Sequence, residues 1–246
     1  TGIGAVTETE YTFTNLQSGS QYYFKVEAIC GSDTVATIVD TRTECATITS
    51  VPFVENFDNW GAGTGVIPTC WSKDGSYSSY PYISSSTGAG YDHTTGSGHA
   101  LYMYTYASGS TPTYIMLPPL DSTLGAMNQY QVSFSMNYAS SSSYVHGVIV
   151  GICEESDFST FVPIDTVILS QAGTNNWECS EVPFSNYADS GRTVALKGYT
   201  TTSYCYPYID DLTISVIPTC PRPRDVEVDN ITQSDATIHW VDSTAS

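Results

Sequence analysis

The sequence predicts an all-β protein built from antiparallel sheets. Short runs in which apolar and polar residues alternate recur along the chain, among them 22–28, 130–136 and 193–197. A period of two places successive side chains on opposite faces of a strand, so that one face packs on a core and the other meets solvent. The 19 glycines and 12 prolines supply turns between these runs. No long stretch has the 3.6-residue period of a helix.

The charge balance excludes two classes of partner. The chain has 7 Lys and Arg residues against 25 Asp and Glu residues, which gives a net charge of −18. Such a surface repels nucleic-acid phosphates and anionic membranes. No segment approaches the ~20 consecutive apolar residues that a membrane-spanning helix needs. We therefore expect no nucleic-acid partner and no membrane insertion.

Residues 1–45 have the pattern of an incomplete β-sandwich. Leu16 and Gly19 precede the alternating run 22–28, and Tyr22 is its first residue. This spacing resembles the tyrosine corner of a fibronectin type III domain, in which the tyrosine hydroxyl bonds to the upstream backbone. We therefore predict that this segment is the C-terminal part of a fibronectin type III domain.

The other end of the chain resembles the opposite part of such a domain. Within residues 219–246, the runs 223–228 and 236–240 resemble its first two strands, with Trp240 as the core tryptophan. We therefore predict that these residues are the N-terminal part of a following fibronectin type III domain. The completing strands would come from parent sequence or from a neighbouring copy, which would extend the chain into a rod.

The middle of the chain, residues 46–218, resembles a third type of domain. Five short motifs occur there in order, at 52–58, 67–71, 98–103, 116–120 and 208–214. Their order resembles the MAM-like jelly rolls called choice-of-anchor J and cleaved adhesin domains, which occur in the adhesin regions of gingipain proteases. The resemblance implies an antiparallel jelly-roll β-sandwich in a secreted or surface protein of bacteria. Such proteins often alternate jelly rolls with fibronectin type III (immunoglobulin-like) domains.

The same resemblance implies a structural calcium ion. In similar jelly rolls an acidic residue after the entry phenylalanine and an aspartate of the closing motif help to hold Ca²⁺, and here these are Asp58 and Asp210. The first and last strands of a jelly roll are commonly neighbours, so carboxylates far apart in sequence can supply the oxygen ligands that calcium requires. The further candidates are Glu55, Asp211 and the backbone around Gly98 and His99.

The environment of Asp210 leaves an alternative open. If the closing strand is regular, Asp210 shares a face with Leu212 and Ile214. A carboxylate on a buried face needs a partner because an unpaired buried charge is very costly. The partner is calcium in the first interpretation and a set of backbone amides, with no metal, in the second.

Seven cysteines and no CxxC pair indicate an oxidising compartment. We predict that Cys30 pairs with Cys45, because each of them ends a strand of one hairpin. The remaining cysteines of the middle domain allow three connectivities, and buried free thiols remain the alternative. The predicted pairs are Cys30–Cys45, Cys153–Cys179 and Cys70–Cys205, which leaves Cys220 unpaired.

Tyrosines form a second candidate site. The chain contains 19 of them, several at alternating positions, and we predict sugar contacts at Tyr77, Tyr80 and Tyr82. Alternating tyrosines in a strand place their rings on one face, where an exposed row can stack on sugar rings. The alternative is that the rings pack under a loop or against a neighbouring domain, since tyrosine favours strands in any case.

Catalysis has little support in the sequence. The four histidines are scattered, and the chain has no nucleophile elbow, phosphate loop or HExxH motif. We therefore expect a non-catalytic structural or adhesive repeat segment of a large secreted or cell-surface bacterial protein, able to assemble head-to-tail. The alternative is a carbohydrate-binding module of a secreted multidomain enzyme or adhesin. The expected partners are neighbouring domains or copies, and glycans or host surface proteins.

Overall fold

The computed structural model describes residues 9–75, 79–94, 96–106, 112–138, 144–154, 157–170, 176–220 and 224–241, with only the backbone at 224–227 and 241. The regular structure of these residues consists of β-strands and two short 3₁₀ turns, Ser122–Leu124 and Met127–Gln129. None of the helices in these ranges is long and apolar enough to cross a membrane.

The strands are numbered in chain order. They are β1 (Gln21–Cys30), β2 (Asp33–Arg42), β3 (Phe53–Glu55), β4 (Ser72–Asp74), β5 (Tyr82–Ile83), β6 (Leu101–Tyr102), β7 (Thr105–Tyr106), β8 (Tyr114–Met116), β9 (Tyr130–Asn137), β10 (Gly147–Glu154), β11 (Asp157–Ile168), β12 (Glu178–Pro183), β13 (Thr193–Tyr199), β14 (Tyr204–Cys205), β15 (Tyr208–Val216), β16 (Arg224–Asp229) and β17 (Thr237–Val241).

Two antiparallel sheets form a β-sandwich in the middle of the chain, as predicted. One sheet has the order β11-β10-β13-β8-β4, and the other has the order β12-β9-β15-β6-β5, with β3 paired to β15. The runs 130–136 and 193–197, predicted as strands, lie within β9 and β13. Apolar side chains of both sheets pack between them in one buried cluster. Members of this cluster include Ile115, Val132, Phe134, Val150 and Leu196.

Strand β15, the closing strand of the sandwich, lies beside its entry strand. It pairs with β3, so that Leu212 lies opposite Glu55 and Ile214 lies opposite Phe53. The predicted adjacency of the entry motif and the closing motif is therefore confirmed. This pairing brings the entry motif alongside the closing strand at the level of Leu212 and Ile214.

A bulge in β15 changes the direction of Asp210. The register with β9 slips between Asp210 and Thr213, and Asp211 has a φ of 48°, in the left-handed region. Ile209 and Leu212 both belong to the core cluster. Since neighbours in a strand alternate, Asp210 lies on the outer face, away from Ile209. The prediction that a regular closing strand places Asp210 on the same face as Leu212 is therefore wrong.

The N-terminal hairpin contains the predicted corner. Strands β1 and β2 pair along their whole length, and the backbone N–H of Gln17 donates a hydrogen bond of 2.8 Å to the hydroxyl of Tyr22. This is the upstream backbone contact that the tyrosine-corner pattern predicts. Strands β16 and β17 form a second hairpin near the other end. The assignment of both hairpins to fibronectin type III domains, and the domain boundaries, stay predictions.

The disulfide pairs predicted for the hairpin and for Cys70 are wrong. Cys45 is bonded to Cys70, with their Cα atoms 5.4 Å apart. In the hairpin register Cys30 lies opposite Asp33, beside the turn, whereas Cys45 follows the far end of β2. Because the strands are antiparallel and ten residues long, these two cysteines lie about 30 Å apart at opposite ends. The bond to Cys45 also rules out the pair of Cys70 with Cys205.

The third predicted pair is wrong as well. Cys153 lies buried in β10 of the five-stranded sheet, and Cys179 lies exposed on β12 of the six-stranded sheet. Both are free thiols, as is the buried Cys205. Burial raises the pKa of Cys153 to about 11 and that of Cys205 to about 12, so both are protonated and unreactive at neutral pH. Cys220 is exposed and unpaired.

Candidate functional site

The loop between β5 and β6 covers part of the outer face of the six-stranded sheet. The side-chain amide of Asn137 on β9 donates to the carbonyl of Gly90 at 3.0 Å. The ring of Tyr91 packs edge-on against Tyr208 of β15, with 5.1 Å between centroids. Side chains of β15 that point away from the core are therefore buried beneath this loop.

Asp210 anchors the loop to β15. Its carboxyl group is fully buried and accepts hydrogen bonds from the backbone N–H groups of His93 at 2.8 Å and Asp211 at 2.7 Å. It is also hydrogen-bonded to the carboxyl group of Asp92. Desolvation raises the pKa of Asp210 to about 8, assisted by the two neighbouring aspartates and opposed by the two amides. At neutral pH Asp210 is therefore mostly protonated and can donate to Asp92.

Asp92 organises the rest of the loop, although the sequence analysis did not single it out. It is buried, and its Oδ2 accepts from the backbone N–H groups of Ser97 at 2.8 Å and Gly98 at 2.7 Å. Its Oδ1 accepts from the N–H of Thr94 at 3.2 Å. Asp92 lies within a run of Gly, Ser and Thr, and this sequence pattern is typical of a carboxylate that binds loop amides.

Asp58 binds the next amide of the same loop. Its Oδ1 accepts from the N–H of His99 at 2.8 Å, and its Oδ2 accepts from the side chain of Asn56 at 3.0 Å. A side chain on Gly98 would collide with the carboxyl group of Asp58. The consecutive amides of Gly98 and His99 therefore donate to two different carboxyl groups, those of Asp92 and Asp58.

Glu55 holds the entry turn next to this loop. Its Oε1 accepts from the N–H of Phe57 at 2.7 Å, and its Oε2 accepts from the indole N–H of Trp60 at 2.9 Å. Phe57 has a φ of 59°, in the left-handed region that a bulky residue rarely adopts. Burial raises the pKa of Glu55, which these two donors partly offset. Glu55 thus stabilises a strained turn.

Asp211 binds the outer edge of the loop. Its Oδ2 lies 2.6 Å from Nδ1 of His93, and its Oδ1 accepts from the hydroxyl of Thr94 at 2.6 Å. Both side chains of the His93–Asp211 pair are about one-third exposed. An ion pair in such a position contributes little to stability.

The predicted calcium ligands do not form a set around one point. Across the described ranges, no three His, Cys, Asp or Glu side chains are grouped so that they could hold a metal ion. The carboxyl groups of Asp58 and Asp210 accept hydrogen bonds from backbone amides. Nδ1 of the His99 ring is buried and has no hydrogen-bond partner among the described residues. In this arrangement backbone amides occupy the carboxyl groups of Asp58 and Asp210, and calcium stays a prediction.

The second candidate site starts on the same outer face. Tyr82, Tyr102 and Tyr208 lie opposite one another on β5, β6 and β15. Their rings are in contact, with centroids 5.4 Å apart for Tyr82 and Tyr102 and 4.7 Å apart for Tyr102 and Tyr208. Tyr208 is buried beneath the loop, as the packing alternative predicts. Tyr82 remains partly exposed, whereas Tyr77 lies outside the described residues.

The row of rings continues beyond the loop. Tyr80 contacts Tyr82 at 5.2 Å and stacks on Tyr104 at 4.9 Å. Tyr104 in turn stacks on Tyr206 at 5.8 Å, with the two planes only 12° apart. We call the connected, partly or fully exposed rings the tyrosine ladder. Its members are Tyr80, Tyr82, Tyr102, Tyr104, Tyr106, Tyr138, Tyr144, Tyr204 and Tyr206.

A buried histidine lies against one end of the tyrosine ladder. The ring of His146 stacks on Tyr138 at 4.0 Å, and its Nδ1 accepts from the backbone N–H of Tyr206 at 3.3 Å. Burial lowers the pKa of His146 to about 4, so the ring is neutral. Since Nδ1 accepts, the proton lies on Nε2, which is buried and has no partner within the described part of the chain.

Comparisons with known proteins were made by sequence and by structure. No family matches the sequence, and no curated protein matches it. Among solved structures, the chain is similar to the K1 cleaved adhesin domain of Lys-gingipain from Porphyromonas gingivalis W83, at 15% identity and a TM-score of 0.49, over 69% of this chain and 100% of that one. The K3 cleaved adhesin domain of the same protein is similar at 17% identity and a TM-score of 0.43, over 66% of this chain and 96% of that one.

A carbohydrate-binding module also resembles this chain. The C-terminal family 22 carbohydrate binding module of Clostridium thermocellum Xyn10B is similar at 15% identity and a TM-score of 0.41, over 69% of this chain and 95% of that one. The matched adhesin domains are of the type that the sequence resembles. TM-scores below 0.5 at such low identity carry no information about a ligand or an activity, which must come from this chain's own residues.

Proposed function

We propose that this chain is a non-catalytic structural or adhesive segment of a secreted or cell-surface protein, and that its hairpins dock with complementary strands of neighbouring domains or copies. The observation that carries this proposal is the exposed apolar face of the β1–β2 hairpin. The buried carboxyl groups support a non-catalytic role, because Asp92 and Asp210 hold loop amides instead of lining a cleft. The disulfide between Cys45 and Cys70 supports an oxidising, extracellular compartment.

The apolar face of the first hairpin follows from its register. Phe24 lies opposite Val39, and Ala28 lies opposite Val35, so these residues and Val26 share one face. Val26 is 72% exposed and Val39 is 60% exposed. An isolated two-stranded hairpin is marginally stable in water. An exposed apolar face of this kind marks a surface that another protein segment covers.

The second hairpin carries a matching surface. Val228 lies opposite Ile238, and Trp240 follows on the same face of β17. Trp240 is 59% exposed, although tryptophan is mostly buried in folded domains. The Val26 face of the first hairpin and the Trp240 face of the second are suited to closing on each other as the two sheets of a sandwich. Docking of the β1–β2 hairpin on the β16–β17 hairpin of another copy would join chains head-to-tail.

Sedimentation velocity tests docking between copies. The full chain, with the exposed cysteines Cys30, Cys179 and Cys220 changed to serine to prevent adventitious cross-links, is expected to associate as its concentration rises. Val26→Asp places a charge on the apolar face and should reduce association. Tyr23→Asp places the same charge on the opposite face of β1 and should not. A monomer at every concentration, or equal effects of the two variants, would contradict docking between copies.

A second candidate function is carbohydrate binding by a non-catalytic module. The observation that favours it is the tyrosine ladder, whose rings stay partly exposed on a folded jelly roll. A tyrosine side chain combines a large apolar ring face with a polar hydroxyl group. This suits ligands that are apolar on one face and carry hydrogen-bonding groups at the edge. Tyr80 and Tyr82, which the sequence analysis selected, both belong to the ladder.

A further inference from the structure

We propose that the tyrosine ladder around Tyr104, Tyr204 and Tyr206 binds an extended neutral glycan, an inference that rests on carbohydrate binding as the second candidate function. This part of the ladder adjoins Tyr80, which stacks on Tyr104 at 4.9 Å. Tyr204 lies in a separate small sheet formed by β7 and β14, and Tyr104 and Tyr206 directly flank these two strands.

The backbone beneath this part of the ladder is held in place. Tyr106 lies opposite Tyr204 and Thr105 lies opposite Cys205, so the tyrosines share the outer face while Thr105 and Cys205 are buried. The hydroxyl of Thr105 accepts from the N–H of Thr113 at 3.1 Å. The sulfur of Cys205 accepts from the N–H of Gly147 at 3.3 Å. The rings are therefore preorganised, which lowers the entropy lost on binding.

The rings around Tyr204 are not stacked in parallel. Tyr204 is tilted against its neighbours, by 44° to Tyr106 and by 63° to Tyr144, so it is not sandwiched between parallel rings. Tyr144 is 38% exposed. Tilted rings offer an apolar face to the C–H side of a sugar ring, while stacked rings such as Tyr104 and Tyr206 offer edges and hydroxyls to its rim.

The hydroxyl groups add hydrogen-bonding capacity to the surface. Burial raises the pKa of Tyr206 to about 12, with further contributions from neighbouring tyrosines, so its hydroxyl stays neutral and can both donate and accept. A sugar hydroxyl has the same two capacities. The ring of the buried, neutral His146 lies against Tyr138 and Tyr206 and supports this end of the row.

The length of the row indicates a polymer chain instead of one terminal sugar. From Tyr82 the rings follow one another through Tyr80, Tyr104, Tyr206 and Tyr138, with successive centroids 5.2, 4.9, 5.8 and 5.2 Å apart. Several sugar units in sequence are needed to contact rings spread over this length. The net charge of −18 repels anionic polysaccharides, so the glycan that fits is neutral.

Affinity gel electrophoresis of the full chain tests this inference. The gels contain soluble mixed-linkage β-glucan, arabinoxylan or galactomannan as neutral probes, and polygalacturonate as an anionic probe. At least one neutral polysaccharide should retard the wild-type chain, and polygalacturonate should not. Retardation by none of the neutral probes, or by polygalacturonate alone, would overturn the inference.

Variants then locate the surface. Tyr204→Ala should weaken binding by about tenfold, the loss expected for a central aromatic contact, and Tyr204→Phe should retain most of it. Tyr144→Ala, at the exposed end, should weaken binding without a change in melting temperature, which guards against a folding defect in the first variant. Tyr23→Ala, on the β1–β2 hairpin, is the matched control. Unchanged affinity in both alanine variants of the ladder, or an equal loss in Tyr23→Ala, would overturn the assignment.

The test of glycan binding is independent of the test of hairpin docking. The ladder variants lie on β14 and beside β10, and not on β1, β2, β16 or β17. Their sedimentation should therefore match that of the wild-type chain. A negative result on glycans would leave the association of hairpins standing, and a monomeric chain that binds glycans would leave the ladder assignment standing.

Discussion

The carboxyl group of Asp92 is hydrogen-bonded to the carboxyl group of Asp210, and both are buried between the β5–β6 loop and the last strand of the sandwich. Two adjacent buried carboxyl groups cannot both be ionised without a large cost, so one of them keeps a proton. The pair therefore joins the loop to β15 through a bond that depends on protonation.

The first prediction concerns the pH dependence of stability. The pKa of Asp210 in the folded chain, about 8, is well above that of an unfolded aspartate, about 3.9. The folded state therefore binds the proton more tightly, and this contribution is fully present below pH ~4 and is lost as the pH rises through about 8. In chelator-containing buffer, the free energy of unfolding in urea should fall between pH 5 and pH 7, by at most about 1.4 kcal/mol per pH unit from this group.

Two variants isolate this contribution. Asp210→Asn keeps a neutral side chain at all pH values and should flatten the pH dependence. Asp33→Asn, at the exposed turn of the first hairpin, should leave it as in the wild-type chain. If Asp210→Asn has the same slope as the wild type, the shared proton is not where the structure places it.

The second prediction is that a calcium ion binds at the β5–β6 loop. Calcium should raise the melting temperature of chelator-stripped chain, because an ion that binds only the folded state stabilises it by mass action. The effect should grow from pH 6 to pH 8, since ligand carboxyl groups must lose their protons. Asp210→Ala should abolish the effect, and Asp33→Ala should not. Identical melting curves in calcium and in chelator at pH 8 would reject the ion.

The third prediction concerns the close approach of Gly98 to Asp58. A side chain at Gly98 would collide with the carboxyl group of Asp58, which is held by the N–H of His99. Gly98→Ala should therefore lower the free energy of unfolding by roughly 1–3 kcal/mol, measured in urea. Gly61→Ala is the control, because an added methyl group there meets no atom within 4 Å. Equal effects of the two changes would mean that the loop adapts freely.

The fourth prediction concerns the disulfide. Non-reducing peptide mapping should recover Cys45 linked to Cys70. The bond closes a loop with a sequence separation of 25 residues, so the variant with both cysteines changed to serine should lose roughly 3 kcal/mol of stability in the chain-entropy account. Cys30→Ser, which removes an exposed free thiol, should have no effect on the melting temperature. Recovery of a Cys30–Cys45 peptide would contradict the structure.

Patterns that lie within one segment were readable from the sequence. The alternation at 130–136 identifies β9, because a period of two fixes which side chains share a face. Leu16, Gly19 and Tyr22 predict the hydrogen bond between the Tyr22 hydroxyl and the backbone of Gln17, since the two groups are close in sequence. The pairing of the entry motif with the closing motif was also predictable, but only through the resemblance to jelly rolls.

The same reasoning failed where one residue changes the register or where partners are distant. The bulge at Asp211 reverses the face of Asp210, and no alternation pattern signals a single extra residue. The predicted Cys30–Cys45 pair overlooked that both cysteines end strands that run in opposite directions. The role of Asp92 was missed because its carboxyl partner, Asp210, lies far away in sequence, on β15.

The sequence by itself thus determined the strands, the sandwich and the residue types that gather near its closing strand. Only the tertiary structure decided that Asp210 pairs with Asp92, that Cys45 bonds to Cys70, and that tyrosines from separate segments form one ladder. The physical reason is that a strand's faces follow from local chain geometry. Contacts between strands depend on how sheets are ordered and registered, which many residues far apart in sequence fix together.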